Sequence, residues 1–225
     1  MANPLTRAFL QEVRDRVALP DPIVEFGALQ VEHEQEGDLR PLFAGRPYLG
    51  TDFRAGPGVD RVEDLRALTF ADGEVGTAIC LDTLEHCADP PLALRELARV
   101  TAPGGVCVIS SVLLFGIHGY PQDFFRFTPE GFRAMLEQGF DQTWVGAVGH
   151  PDMPVWILGI GSHGVPLPPD GAGAFPSLAR AQADFDAAEG HVKVGVVNHR
   201  PRDLAGALAR ALPRLARERL GRGRS

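Results

Sequence analysis

Apolar and polar positions alternate along the chain with two periods, and the changes of period mark its elements. Leu5, Ala8, Phe9, Val13 and Val17 share one side of a helix. Asp21-Pro22 interrupts that pattern, and Ile23-Val24-Glu25-Phe26 reads as a short strand ending at Gly27. A polar stretch, 31–37, and a short helical piece, 38–43, lead to a second strand, Tyr48 to Asp52 (YLGTD), and then an edge-like strand, Val59 to Val62. The run TAICLD, from Thr77 to Asp82, carries no charge until its last residue, the pattern of a strand buried on both faces. From Pro90 to Val100, Leu92, Leu94, Leu97, Ala98 and Val100 are spaced among Arg95, Glu96 and Arg99, which predicts an amphipathic helix with Pro90 and Pro91 in its first turn. Ala102-Pro103-Gly104-Gly105 stops that helix, and VCVISSVLLF follows as a second buried strand. Strand, crossover helix and parallel strand make a right-handed βαβ unit, around which the rest is organised.

Beyond it, Thr128-Pro129-Glu130 is a helix start, with threonine as N-cap and proline in the first turn. Gln142 to Val148 and Val155 to Ile160 read as two closing strands joined by a loop containing His150. The Gly/Pro-rich stretch from Ser162 to Pro176 ends the regular domain. After it come a helix from Leu178 to Glu189, one short strand in HVKVGVV, and an arginine-rich helix from Asp203 to Leu220 kinked at Pro213. The pattern predicts a domain over residues 1–162 and a linker with a helical extension over 163–225.

Composition narrows the class. The 225 residues suffice for one α/β domain with a substantial core, and 44% hydrophobic with 23% charged residues is usual for a soluble globular protein. A net charge of −7 argues against general affinity for nucleic acid or anionic membranes. Three cysteines, two of them in expected buried strands, provide neither a disulfide framework nor metal-ligand spacing, so no metal is expected. The chain shows no signal-peptide pattern and no run long enough to span a bilayer, which makes a reducing cytoplasm the default expectation. Eight arginines between Arg200 and Arg224 form a basic arm on an acidic body. Such an arm can dock in cis, join two chains as a homodimer or bind an acidic partner; a solvated helix is the plainer reading.

The stretch LDTLEHCADPPLALRELARVTAPGGVCVIS resembles the fourth-strand to fifth-strand region of class I S-adenosylmethionine (SAM) dependent methyltransferases, with LEH, DP, RELARV and PGG in the family's order and spacing. A later block, His118-x-Tyr120-Pro121-x-Asp123-Phe124-Phe125-Arg126-Phe127-Thr128, is similar to one that precedes a helix near the substrate in the methyltransferase type 11-like branch. The resemblance implies a Rossmann-like α/β fold whose seven-stranded, mostly parallel sheet has the order 3-2-1-4-5-7-6. It covers roughly residues 23–160, and it implies SAM as cofactor and S-adenosylhomocysteine as product. Two departures stand out. The glycine-rich turn, usually acid-x-Gly-x-Gly-x-Gly, keeps Glu25 and Gly27 but continues Ala28-Leu29-Gln30, and Val75-Gly76 replaces the frequent Phe-Asp before the fourth strand.

On the matching positions, the resemblance assigns Glu25, Gly27, Ala28, Asp52, Phe53, Asp64, Leu65 and Leu81 to the cofactor. Asp52 would take both ribose hydroxyls and Asp64 would face the adenine amino group. His118 is the candidate proton acceptor near neutral pH, with Asp123 to orient it or bind substrate directly. Tyr120, Arg126 and His150 complete the candidate acceptor site. Against these stand a clamp in which Asp123 merely pairs with Arg126, and a structural role for Glu85 and His86.

The function expected is methyl transfer to an oxygen or nitrogen of a small polar metabolite, a sugar or aminosugar of secondary metabolism. The alternatives are a catalytically weak binding or regulatory relative and a Rossmann-type oxidoreductase, the latter disfavoured by the missing G-x-G-x-x-G.

Overall fold

The computed structural model describes residues 3–30, 37–119, 122–169, 174–188, 192–194 and 197–199. In order these form α1 (Pro4–Arg16), β1 (Ile23–Phe26), β2 (Tyr48–Asp52), β3 (Arg61–Val62), β4 (Val75–Cys80), α2 (Pro90–Val100), β5 (Thr101–Val112), α3 (Pro129–Leu136), β6 (Gln142–His150), β7 (Met153–Ser162), α4 (Pro176–Ala188), β8 (Val192–Val194) and β9 (Val197–His199). Single 3-10 turns at Arg40–Phe43 and Leu84–His86 complete the set. The chain divides into two compact units, Met1–Gln182 and Ala183–Ser225.

In the first unit a seven-stranded sheet has the order β3-β2-β1-β4-β5-β7-β6. Strands β1 to β5 pair in parallel, whereas β7 runs antiparallel to both β5 and β6. That agrees with the expected order. The antiparallel β7 also separates the sheet from the all-parallel 3-2-1-4-5-6 arrangement of dinucleotide-binding oxidoreductases, which removes support for that alternative.

The central strands are apolar on both faces because both faces are covered. Val24, Phe26, Ala78, Cys80, Cys107 and Ile109 pack with Leu94 and Leu97 of α2 and Phe132 and Leu136 of α3. The intervening residues Ile23, Ile79, Val106 and Val108 turn the other way, towards Phe9, Leu10 and Val13 of α1. Phe175 and Leu178 join that second layer, and Ser177 donates to both carboxylate oxygens of Glu12, so compact structure continues beyond Ser162 to Gln182.

Helix starts follow the sequence signals. Asn3 caps α1 by accepting from Leu5 N and Thr6 N, Asp89 caps α2 through Leu92 N, and Thr128 caps α3 through Gly131 N. Gly76 explains one family departure. A Cβ there would lie 2.3 Å from the carbonyl oxygen of Asp21, so only glycine lets β4 begin beside that segment.

In the second unit, β8 and β9 pair antiparallel, so the apolar run expected to make one strand makes two, with Gly195 between them in the sequence. Tyr120 and the arginine-rich stretch expected to be helical lie outside the described residues.

One carboxyl group sits among the apolar side chains of the sheet. Glu25 is 8% exposed, and the Tyr48 hydroxyl of the neighbouring strand donates to its Oε2. Burial outweighs that hydrogen bond and pushes the Glu25 pKa up to about 7. Between its ordinary value of 4.5 and about 7, the folded chain holds a proton that the unfolded chain has released, so this group's contribution to stability falls as pH rises through that window. Chemical denaturation of wild type and Glu25→Gln should therefore diverge with pH. The variant should gain relative to wild type from pH 4.5 to 7, with a slope approaching about 1.4 kcal/mol per pH unit. Parallel stability curves would show that Glu25 stays ionised in the fold.

Candidate functional site

The carboxyl ends of β1, β2, β4 and β5 border a cleft of about 550 Å³. Open α/β sheets place ligands at this edge, where strands end and the chain must turn.

On one side of the cleft the chain leaves β1 through Gly27 at φ +94°, with Thr83 so close that a Cβ would meet its Oγ1 at 2.1 Å. Gly27 N and Ala28 N both donate to Thr51 O, at 2.8 and 2.9 Å, which folds the turn tightly onto β2. Leu29 lines the cleft where the family's second glycine usually stands. At the tip of β2, Asp52 and the half-exposed Phe53 also line it, with Asp52 Oδ1 accepting from Arg54 N.

Asp64 and Leu65 join them after β3. Asp64 is gripped by Arg66 through Nε at 3.0 Å and Nη2 at 2.7 Å, and this hydrogen bonding holds its carboxyl below the usual range. Oδ1 accepts from Arg66 N as well, at 2.9 Å, so it is Oδ2 that keeps a second acceptor position for a ligand donor.

Gly27, Asp52, Phe53, Asp64 and Leu65 are thus brought together as the resemblance implies. Three residues expected beside them are not. Glu25 faces Tyr48 inside the sheet, Ala28 is buried in the turn, and Leu81 points into the α1 layer because strand alternation puts it there. The next residues, Asp82 and Thr83, line the cleft instead. Asp82 has φ +47°, and its Oδ2 accepts from Asn3 Nδ2 and Thr6 Oγ1 while its Oδ1 accepts from Ser110 Oγ. No apolar period marks a left-handed aspartate, so the sequence held no signal for it.

The other side of the cleft is built by the Leu84–His86 turn and the loop after β5. Phe124 N and Phe125 N donate to Glu85 O, Ser111 Oγ donates to Glu85 Oε2, and His86 Nδ1 lies 2.6 Å from Gln122 O. Glu85 is almost fully buried, and burial together with the nearby Asp82 raises its pKa. Burial lowers that of His86 and so favours the neutral ring.

His118 lines the cleft beside His86, and Asp123 is attached to it twice. Asp123 Oδ2 accepts from His118 N at 2.8 Å and lies 3.3 Å from His118 Nδ1. Arg126 grips Asp123 through both terminal nitrogens, at 2.5 and 2.6 Å, and also donates to Gly116 O and Phe125 O. That fork keeps Asp123 ionised far below the ordinary carboxylate range.

The expectation that Arg126 contacts substrate therefore gives way to a brace: its donors are committed to the loop and it does not line the cleft. Asp123 likewise acts on His118 and not on a ligand directly. His150 lies in the β6–β7 turn, where its Nδ1 accepts from Asp152 N, outside the cleft lining. Glu85 and His86, read from the sequence as structural, are both cleft residues.

The cleft suits SAM on its own chemistry. Carboxylates of Asp52, Glu63, Asp64 and Asp82 outnumber the guanidinium groups of Arg54 and Arg66, which favours a cationic sulfonium. Asp52 supplies acceptors for a ribose diol, and Phe53 and Leu65 offer apolar surface to a flat base.

Comparison with known proteins agrees with this geometry. Residues 51–109 match a family model described as a methyltransferase domain. An uncharacterized methyltransferase of Mycolicibacterium gilvum is 42% identical over 53 residues, 24% of this chain and 21% of that protein. One of Mycobacterium sp. (strain JLS) is 40% identical over the same length and shares. The matched stretch thus spans about a fifth of the length of these curated relatives.

Among solved structures, the 1,6-didemethyltoxoflavin-N1-methyltransferase of Burkholderia thailandensis, with bound 1,6-didemethyltoxoflavin and S-adenosylhomocysteine, aligns with a TM-score of 0.51. The alignment has 14% identity and covers 70% of this chain and 76% of that one. The YcgJ protein of Bacillus subtilis aligns with a TM-score of 0.50 and 13% identity over 72% of this chain and 99% of that one. At such identity these structures establish the fold. The chain has the class I methyltransferase fold, and within it residues 51–109 are similar to a methyltransferase domain.

Proposed function

We propose that the protein moves a methyl group from SAM to an oxygen or nitrogen of a small polar metabolite, a class that includes sugars and aminosugars. The observation that carries this reading is that Gly27, Asp52 and His118 border one cleft, which joins a cofactor turn to a side chain with proton chemistry. When bound, SAM supplies an electrophilic methyl on a sulfonium.

Transfer by in-line displacement needs the nucleophile held close and aligned, so positioning carries most of the rate. Asp52 would hold the ribose diol and Asp64 and Leu65 the base, and His118 lines the same cleft. The Nε2 lone pair of His118 would take the acceptor's proton, and Asp123 is the positioning residue that fixes the ring. Phe115 and Phe124, on the same wall, give the acceptor a partly apolar surface and exclude water from its back.

The acidic body and the small cleft favour a small molecule over nucleic acid. Among the described residues no helix is long and apolar enough to cross a membrane, in keeping with a cytoplasmic site of action. A homodimer formed through residues 163–225 belongs to this proposal and rests on the arginine-rich sequence alone. A second reading, a catalytically weak binding or regulatory partner, is favoured by Ala28-Leu29-Gln30, which follow Gly27 where further glycines are expected.

Two measurements separate these readings. Calorimetric titration should show saturable SAM binding by the wild type, weakened about ten- to a hundredfold in Asp52→Ala, equivalent to about 1.5–3 kcal/mol for hydrogen bonds to a charged acceptor. Wild-type affinity in that variant would remove Asp52 from the ribose site. With an acceptor found by screening sugars, aminosugars and other small hydroxyl and amine compounds, both His118→Ala and His118→Asn should lower turnover at least tenfold while SAM affinity holds, since general-base contributions run from about 10² to 10⁴. If His118→Asn turns over like wild type, a hydrogen bond at that position suffices and the proton role is wrong.

A further inference from the structure

Glu85, His86 and His118 meet in the cleft in a way that methyl transfer alone does not require. One ligand atom from each lies within 4.8 Å of the others, and the two imidazole rings meet edge to face at 4.8 Å between centroids.

Both rings are oriented from behind. His86 Nδ1 lies 2.6 Å from Gln122 O, and His118 Nδ1 lies 3.1 Å from Gly116 O and 3.3 Å from Asp123 Oδ2. A carbonyl oxygen only accepts, so each ring carries its proton on Nδ1 and its lone pair on Nε2. Metal-binding histidines are prepared in this manner, with the remote nitrogen donating to a carbonyl or carboxylate. The carboxylate is fixed similarly, since Ser111 Oγ donates to Glu85 Oε2 at 2.7 Å.

We propose that Glu85, His86 and His118 bind one divalent first-row transition-metal ion that keeps open coordination positions towards the cleft. Two imidazoles and one carboxylate suit zinc, cobalt, iron or manganese better than calcium or magnesium, which favour oxygen throughout. Three protein ligands leave room for water or an acceptor group, the arrangement of catalytic rather than structural sites.

Its use in the reaction rests on the methyl-transfer reading, whereas the binding of the ion does not. An acceptor hydroxyl that ligates the cation becomes more acidic and passes its proton to water. The oxygen keeps that bonding pair and spends a pair on the new C–O bond, while the cofactor's sulfur keeps the pair of the broken C–S bond and becomes a neutral thioether. In this form the His118 lone pair assists proton loss through the metal.

The test uses the full chain without a histidine tag, stripped by chelator and then titrated with Co²⁺. The readouts are d–d absorption, bound cobalt after dialysis, and calorimetric binding of S-adenosylhomocysteine in the same preparations. One Co²⁺ per chain is expected, with affinity at least tenfold lower in His86→Ala and in His118→Ala, the scale on which loss of even an outer partner acts. Bound Co²⁺ should also protect His86 and His118 of the wild type from diethyl pyrocarbonate, as mapped on peptides, a readout that needs no variant to fold. Absence of bound cobalt, equal binding in both variants, or unprotected His86 and His118 overturns the site. Specific cobalt binding without S-adenosylhomocysteine binding supports the metal site and removes the cofactor reading; the reverse result removes the metal site alone.

Discussion

Asp82 holds the site together. Its backbone sits at φ +47°, a region that costs an L-residue about 1–2 kcal/mol, and it persists because side chain and amide are held from two elements. Asn3 and Thr6 bring the start of α1, and Ser110 brings β5, through both Oγ and the carbonyl that accepts Asp82 N. Leaving β4 in this conformation directs the chain into the Leu84–His86 turn, which carries Glu85 and His86 to the cleft. Asp82, two residues beyond β4, thus ties the start of α1 and β5 to one wall of the cleft.

The loop after β5, which shares that wall, depends on hydrogen bonds more than on apolar packing. The loop after β5 exposes Leu114, Phe115, Ile117, Phe124 and Phe125, so little hydrophobic free energy fixes it. Its position comes from Phe124 N and Phe125 N on Glu85 O, and from the Arg126 fork that closes on Asp123, Gly116 and Phe125. A guanidinium with its donors in a fixed plane suits such a brace, which a lysine would not reproduce. Binding and holding are therefore divided between neighbours: His118 faces the cleft, and Asp123 and Arg126 hold it there.

What the sequence revealed was what period and punctuation encode. Runs such as TAICLD announce strands covered on both faces, and Pro90-Pro91 and Thr128-Pro129 mark helix starts to the residue. The sheet order came from the LEH to PGG resemblance and not from periodicity. The lining of the cleft was legible near strand ends, as at Gly27, Asp52 and Asp64. It was illegible where orientation decides. One step of strand alternation turns Glu25 and Leu81 away from the cleft, and the meeting of His86 with His118 joins positions separated by a helix and a strand. Arg126 misled for a related reason, since an arginine reserved for backbone carbonyls reads no differently in sequence from one reserved for a ligand.

The claim on which the account stands is that the edge of the sheet is a SAM site despite its shortened glycine loop. Mass spectrometry of small molecules carried through purification, followed by titration of the stripped chain with SAM, tests it directly. SAM or S-adenosylhomocysteine is expected in the released fraction, with saturable binding of one SAM per chain. A nicotinamide or flavin in that fraction, or no SAM binding by the stripped and folded chain, would contradict it.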